Sequence, residues 1–280
     1  MTRHSIAREF AFVKAHAYGN DFLFMKKGAV QAVDAAAIAR AACDRHRGVG
    51  ADGLIVYQRT SNGATMRLFN ADGGVAEVSG NGVRCLAAIL VDSSEATVYG
   101  PDREIIIETD GGVKTVWLLK ATPPSYRFRV FMGVPAGLEQ VELNVAGERV
   151  SAVVMSMGNP QCVVLDSSLN DERFRRLGPG IATHSTFPNG TNVEFVTVEH
   201  PGQVRILIWE RGVGPTLSSG TGACASVVAS AVYGTADRVA DVISLGGTQH
   251  VEWESDGVYL TGWAEISVRG KWIDSGVSVV

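Results

Sequence analysis

The sequence predicts a mixed α/β (α+β) protein of two pseudo-symmetric lobes, on three observations. Its halves echo each other, its apolar runs are mostly of strand length, and two of its few helices open on the same Ser-Gly-x-Gly segment. The 280 residues, 46% hydrophobic and 19% charged, suffice for about two domains at roughly 150 residues each. Ser79-Gly80-Asn81-Gly82 recurs as Ser219-Gly220-Thr221-Gly222, 140 residues on. Nine residues before each serine a polar residue ends an apolar run, Asn70 after MRLF and Glu210 after ILIW. Gly19-Asn20 ahead of DFLF returns as Gly158-Asn159 ahead of PQCVV, and GLIVY at 53–57 as NVEFV at 192–196. Four correspondences in one order at a nearly constant offset indicate a duplicated unit.

Taken in order, strands are expected at 9–14, 22–26, 54–58, 66–69, 104–108 and 113–119 in the first half. The second half supplies 126–131, 150–155, 162–165, 193–198 and 204–209, and HVEW, VYLT and AEISV close the chain. Each run is rich in β-branched and aromatic residues and bounded by turn chemistry. Helices are expected over 32–44, 80–91, 171–177 and 221–233, about two per half. The turn-rich stretch ATPPS at 121–125 marks a boundary between the halves. The helix at 221–233 is small and apolar all round, so it should run buried through its lobe. Ser79 and Ser219 stand at preferred N-cap positions. A helix entering its lobe from a cleft presents free amides and the positive end of its dipole there. Two such ends face to face favour a small anionic ligand gripped at its carboxylate.

Composition removes several function classes. Lys and Arg number 25 against 29 Asp and Glu, a net charge of −4, which gives no electrostatic footprint for nucleic acid or an anionic membrane. MTRHSIAREFAFVK lacks the apolar region of a signal peptide, and no apolar run nears the ~18–20 residues that span a bilayer. The expectation is a soluble, cytoplasmic protein with neither nucleic acid nor membrane as partner. Cys43, Cys85, Cys162 and Cys224 form no CxxC pair and read as reduced, mostly buried thiols. GVGADG at 48–53 satisfies GxGxxG, but it follows DRHR and precedes a strand, the reverse of a dinucleotide fingerprint. No P-loop, GxSxG or metal-spaced histidine pair is present, so neither a cofactor nor a metal is called for.

With these segments laid out, the chain resembles the diaminopimelate epimerases over nearly its whole length. The likeness is carried by GNDF at 19–22, RHRGVGADGL at 45–54, FNADG at 69–73, GNGVRC at 80–85, MGNP at 157–160, TNVEF at 191–195, ERGVG at 210–214 and GTGACA at 220–225. The resemblance implies two lobes, each a curled, mostly antiparallel sheet around a central helix, with the active site in the cleft between them. The N-terminal lobe would span 1–120, completed by 267–280, and the C-terminal lobe 121–266. It implies a cofactor-independent isomerase of a small amino acid, interconverting LL- and meso-2,6-diaminopimelate for lysine and peptidoglycan precursors, usually as a homodimer. Asn20, Asn70, Asn159, Asn192, Glu210 and Arg211 would hold the distal end of the substrate, Arg211 as carboxylate clamp. Gly80, Asn81, Gly220 and Thr221 would present helix-end amides to the α-carboxylate.

The family's two catalytic bases are cysteines at the two helix ends, and here those positions hold Ser79 and Ser219. A hydroxyl needs a strong neighbouring base where a thiol does not; Glu210 is the candidate partner of Ser219. Gln161 stands where the family usually carries a histidine, and Gly53 where some relatives carry an amide. Cys85 and Cys224, five or six residues beyond each serine, read as buried helix-core thiols rather than substitutes. The catalytic set is therefore Ser79, Ser219 and Glu210. The alternatives are a sister racemase or epimerase, a hydroxyproline epimerase or dehydratase on the same fold, and a non-catalytic amino-acid binder.

Overall fold

The computed structural model describes residues 8–31, 33–93 and 104–274. Residues 1–7 and 275–280, assigned above to the N-terminal lobe, lie outside the described residues, as do 94–103 and position 32 of the expected first helix. The first half runs β1 (Arg8–Ala17), β2 (Asn20–Lys26), α1 (Lys27–Val30), α2 (Ala35–Ala42), β3 (Gly53–Arg59), β4 (Gly63–Asn70), β5 (Val75–Ala76), α3 (Gly80–Asp92), β6 (Glu104–Thr109), β7 (Gly112–Thr122), β8 (Ser125–Gly133) and β9 (Ala136–Val145). The second runs β10 (Glu148–Ser156), β11 (Pro160–Leu165), α4 (Asp171–Ala182), β12 (Asn192–His200), β13 (Gln203–Glu210), β14 (Gly214–Thr216), α5 (Gly220–Tyr233), β15 (Val239–Ser244), β16 (Gly247–Trp253) and β17 (Val258–Asp274).

Strand pairing repeats with the sequence. β1–β2 is antiparallel, β2–β3 parallel, β3–β4 antiparallel, β4–β6 parallel, and β6–β7 and β7–β8 antiparallel. β10–β11, β11–β12, β12–β13, β13–β15, β15–β16 and β16–β17 follow the same order of directions. Register repeats too: Phe22 faces Gly53 as Gln161 faces Asn192, and Leu68 faces Ala76 as Ile208 faces Thr216. The long β17 joins the halves, its start pairing with β8 and its end with β1. All seventeen described strands thereby belong to one continuous sheet.

Each half wraps its strands around a helix. α3 packs against β1, β2, β8 and β17, and α5 against β11, β12, β13 and β16. Residues 80–90 of α3 and 220–230 of α5 are all buried, and side chains from both helices belong to one core. The outer faces are covered by the shorter helices. Ile38, Ala39 and Ala42 of α2 meet Phe10, Leu23, Met25 and Leu54. Phe174, Leu177 and Ile181 of α4 meet Leu143, Val150, Cys162 and Val193. Burying each such side chain contributes roughly 1.5–3 kcal/mol, so both lobes own a substantial apolar core.

Several elements depart from expectation, the short α1, β5 and β14 among them. β9 departs because its AGLEQVELNV is polar on its outward side; it pairs with β10 and buries Leu143 and Val145 in the core beneath α4. β15 hides in VADVIS, where alternation is clean but short. α2 begins at Ala35, later than expected, because the Asp34 carboxylate accepts from Ala36 N at 3.0 Å as its N-cap. α4 runs to Ala182 through Pro179 instead of ending at 177. Among the described residues no helix is long and apolar enough to cross a membrane.

Candidate active site

The two repeated segments meet at the centre of the molecule. Ser79 and Ser219 are the N-caps of α3 and α5, and each Oγ accepts from a glycine amide three residues on, Gly82 N and Gly222 N, at 3.1 Å. The following glycines bring the tips into backbone contact. A Cβ on Gly80 would lie 3.1 Å from Gly220 Cα, and one on Gly220 2.9 Å from Gly80 Cα. Only glycine at both positions permits that approach. Among the described residues the amides of Gly80, Asn81, Gly220 and Thr221 donate to no protein acceptor, the condition of first-turn amides left over by helix geometry.

A narrow cleft opens beside this junction. Its lining includes nine of the expected site residues: Asn20, Asn70, Ser79, Asn159, Asn192, Glu210, Arg211, Ser219 and Thr221. The other three, Gly80, Asn81 and Gly220, lie behind it. Asn81 is buried, donating to Asn20 Oδ1 at 3.0 Å and to the Ser218 carbonyl at 3.1 Å while accepting from Arg84. Arg84 also donates to Gln249 Oε1 at 2.8 Å, and Gln249 donates to Ser218 Oγ at 3.0 Å. This buried chain ties the α3 tip to the segment that starts α5. Cys85 and Cys224 are fully buried in the helix cores and do not line the cleft; burial pushes both thiols up, Cys224 to about 12.

Several lining residues were not singled out from sequence. Asp52 accepts from Asn20 Nδ2 at 2.8 Å and, with Asp21, binds Arg45 at 2.8 Å. That ion cluster is what the RHRGVGADG segment builds. Glu77 pairs with Arg211, whose other terminal nitrogen donates to the Asn189 carbonyl at 3.1 Å. Arg211 is thus held across the cleft, between residues of both halves. Glu194 is fully buried, its carboxylate against the first turn of α5 where a Gly222 Cβ would overlap Oε1. Gln161 lies beneath the same tip, within 3.1 Å of Thr221 Oγ1. In the amide orientation that satisfies both its ends, it donates to Glu194 Oε1 at 3.0 Å and accepts from Asn192 and Thr221.

The electrostatics centre on two carboxyls. Burial, with Glu210 as the second cause, holds Glu194 well above the usual carboxylate range. Glu210 is pushed up to about 8 by burial and by the charge of Asp52, partly offset by a hydrogen bond with Ser219. Such a group changes protonation near neutral pH, which suits general acid–base work.

The two-lobed fold is shared with a hydroxyproline epimerase of Agrobacterium vitis, TM-score 0.71 over 95% of this chain and 93% of that one. At 15% identity that likeness speaks for the fold alone. The sequence is more specific. The diaminopimelate epimerase family model matches residues 12–136 and 153–267. The diaminopimelate epimerase of Desulforudis audaxviator is 42% identical over 94% of this chain and 99% of its own length, and that of Desulfitobacterium hafniense 38% identical over 95% and 99%. The chain belongs to the diaminopimelate epimerase family.

Proposed function

We propose that the protein interconverts LL- and meso-2,6-diaminopimelate by moving a proton at one α-carbon. The observation that carries the reading is the junction of two serine-capped helix tips beside a cleft lined by Asn20, Asn70, Asn159, Asn192, Glu210 and Arg211. The α-carboxylate takes the unpaired tip amides, whose dipoles stabilise negative charge as it builds on the α-carbon. The α-carbon then lies between the Ser79 and Ser219 hydroxyls. The asparagines and Arg211 hold the distal amino-acid end, the bidentate fork of Arg211 suiting its carboxylate. Glu210 draws the Ser219 proton and so lets a hydroxyl act where relatives in the family use a thiol. Family resemblance also supports a cytoplasmic homodimer, with a lobe boundary near 120; sedimentation of the purified chain tests the dimer.

Incubation with LL-diaminopimelate in D2O tests the reaction. Deuterium entering one α-carbon, followed by mass spectrometry, is the expected result. Thermal stabilisation by the same compound without any incorporation would instead identify a binder that does not turn over.

A further inference from the structure

The internal repeat allows the two helix tips to be compared residue by residue. Gly222 packs on the Glu194 carboxylate; its counterpart Gly82 packs on Ile55, whose Cδ1 lies 2.7 Å from the position a Cβ would take. Ser219 is hydrogen-bonded to Glu210, whereas the residue in the same place relative to Ser79 is the amide Asn70. Gln161, beneath the α5 tip, corresponds to Phe22. Glu194 faces Ile208 across β12 and β13, so Glu194 and Glu210, the latter two residues beyond Ile208, share the sheet face that α5 covers. Among the described residues neither carboxylate has an ion-pair partner. Around them, the first turn of α5 carries no charge, β11 contributes the neutral Gln161, and Asp52 approaches Glu210 from the first half.

We propose that fast proton transfer is confined to one side of the substrate: Ser219 and Glu210 remove and return the α-hydrogen, while Ser79 serves only as a slow hydroxyl donor on the other side. This rests on the reading that the cleft holds an amino acid. In the forward step the C–H bond breaks, its proton passes to Ser219 Oγ, and the Ser219 hydroxyl proton passes to Glu210. The electron pair stays on the α-carbon and spreads into the α-carboxylate. Reversal remakes the C–H bond on the same side. Inversion requires Ser79 to give up its own proton and leaves an oxyanion with a neutral amide where its counterpart has a carboxylate. Exchange with retention therefore outruns inversion.

The full-length protein is incubated in D2O with LL- and with meso-diaminopimelate separately, and retained and inverted isomers are resolved by chiral chromatography with mass detection. One isomer should gain α-deuterium with retention about tenfold or more faster than it inverts, and the other should lag in both. Asp52→Asn should shift the pH profile of that exchange to lower pH, a change that mere loosening of the cleft would not produce, and Ser219→Ala should abolish the exchange. Deuterium found only in inverted product, at equal rates from both isomers, would overturn the one-sided scheme and leave the epimerase reading intact. No incorporation from either isomer, with binding retained, would overturn both.

Discussion

The α3 and α5 tips share a backbone and differ in chemistry. Both are capped by serine, both follow a two-stranded ribbon in the same register, and each needs glycine at its second position because the other tip is there. Beneath α3 the supporting groups are Ile55, Phe22 and Asn70; beneath α5 they are Glu194, Gln161 and Glu210. Duplication thus preserved what the main chain must do while the side chains below diverged. Symmetry in this fold is a property of packing, and it does not extend to acid–base character.

The largest test of that difference is Glu210→Gln, which should lower α-proton exchange by about 10²–10⁴-fold while binding persists, read by isotope incorporation beside ligand-induced thermal shift. Ser79→Cys should make the tips more alike, since a thiol at a helix N-terminus ionises far more readily than a hydroxyl. Inversion should then rise by roughly 10²-fold relative to same-side exchange; an unchanged ratio would place Ser79 away from the reacting carbon. Gly220→Ala should cost about 1–3 kcal/mol in denaturant unfolding, because a methyl group cannot enter the tip contact without moving a helix.

pH effects follow from the same two carboxyls. Glu210 acts as a base when ionised, so exchange kcat/KM should rise with pH through about 8, and Asp52→Asn should move that limb to lower pH by removing a like charge. Stability runs the other way. Between the ordinary carboxylate value of 4.5 and about 8, the folded chain binds more protons at Glu210 than the unfolded chain, so stability falls as pH rises. The melting temperature should decline across that window, and more gently in Glu194→Gln. The smallest effect is expected for Glu77→Gln, which frees Arg211 from an internal competitor and should lower KM for diaminopimelate about two- to fivefold.

The fold was readable wherever turn chemistry punctuates the chain. The glycine-bearing segments at 19–20, 80–82, 158–159 and 220–222 mark element starts, and their offset predicted a duplicated unit, with which the strand pairing agrees. Polar residues inside strands were harder to read. Glu194 sits in VEFVTV, where alternation would turn it to solvent, yet Val193, Glu194, Phe195 and Val196 are all buried because α5 covers one face and α4 the other. Asp52 and Glu77 were passed over for a related reason. Their partners, Asn20 and Arg211, lie 32 and 134 residues away, and no local pattern encodes so distant a pairing.

Where Gly80 meets Gly220, main chain touches main chain with no side chain interposed. The spacing of the two capping hydroxyls is accordingly gauged by helix geometry and is insensitive to drift elsewhere in the sequence. Any lineage that adapts this scaffold to a longer or shorter molecule must remodel the opposite wall, around Asn70, Asn159 and Arg211, because the junction itself offers nothing to adjust.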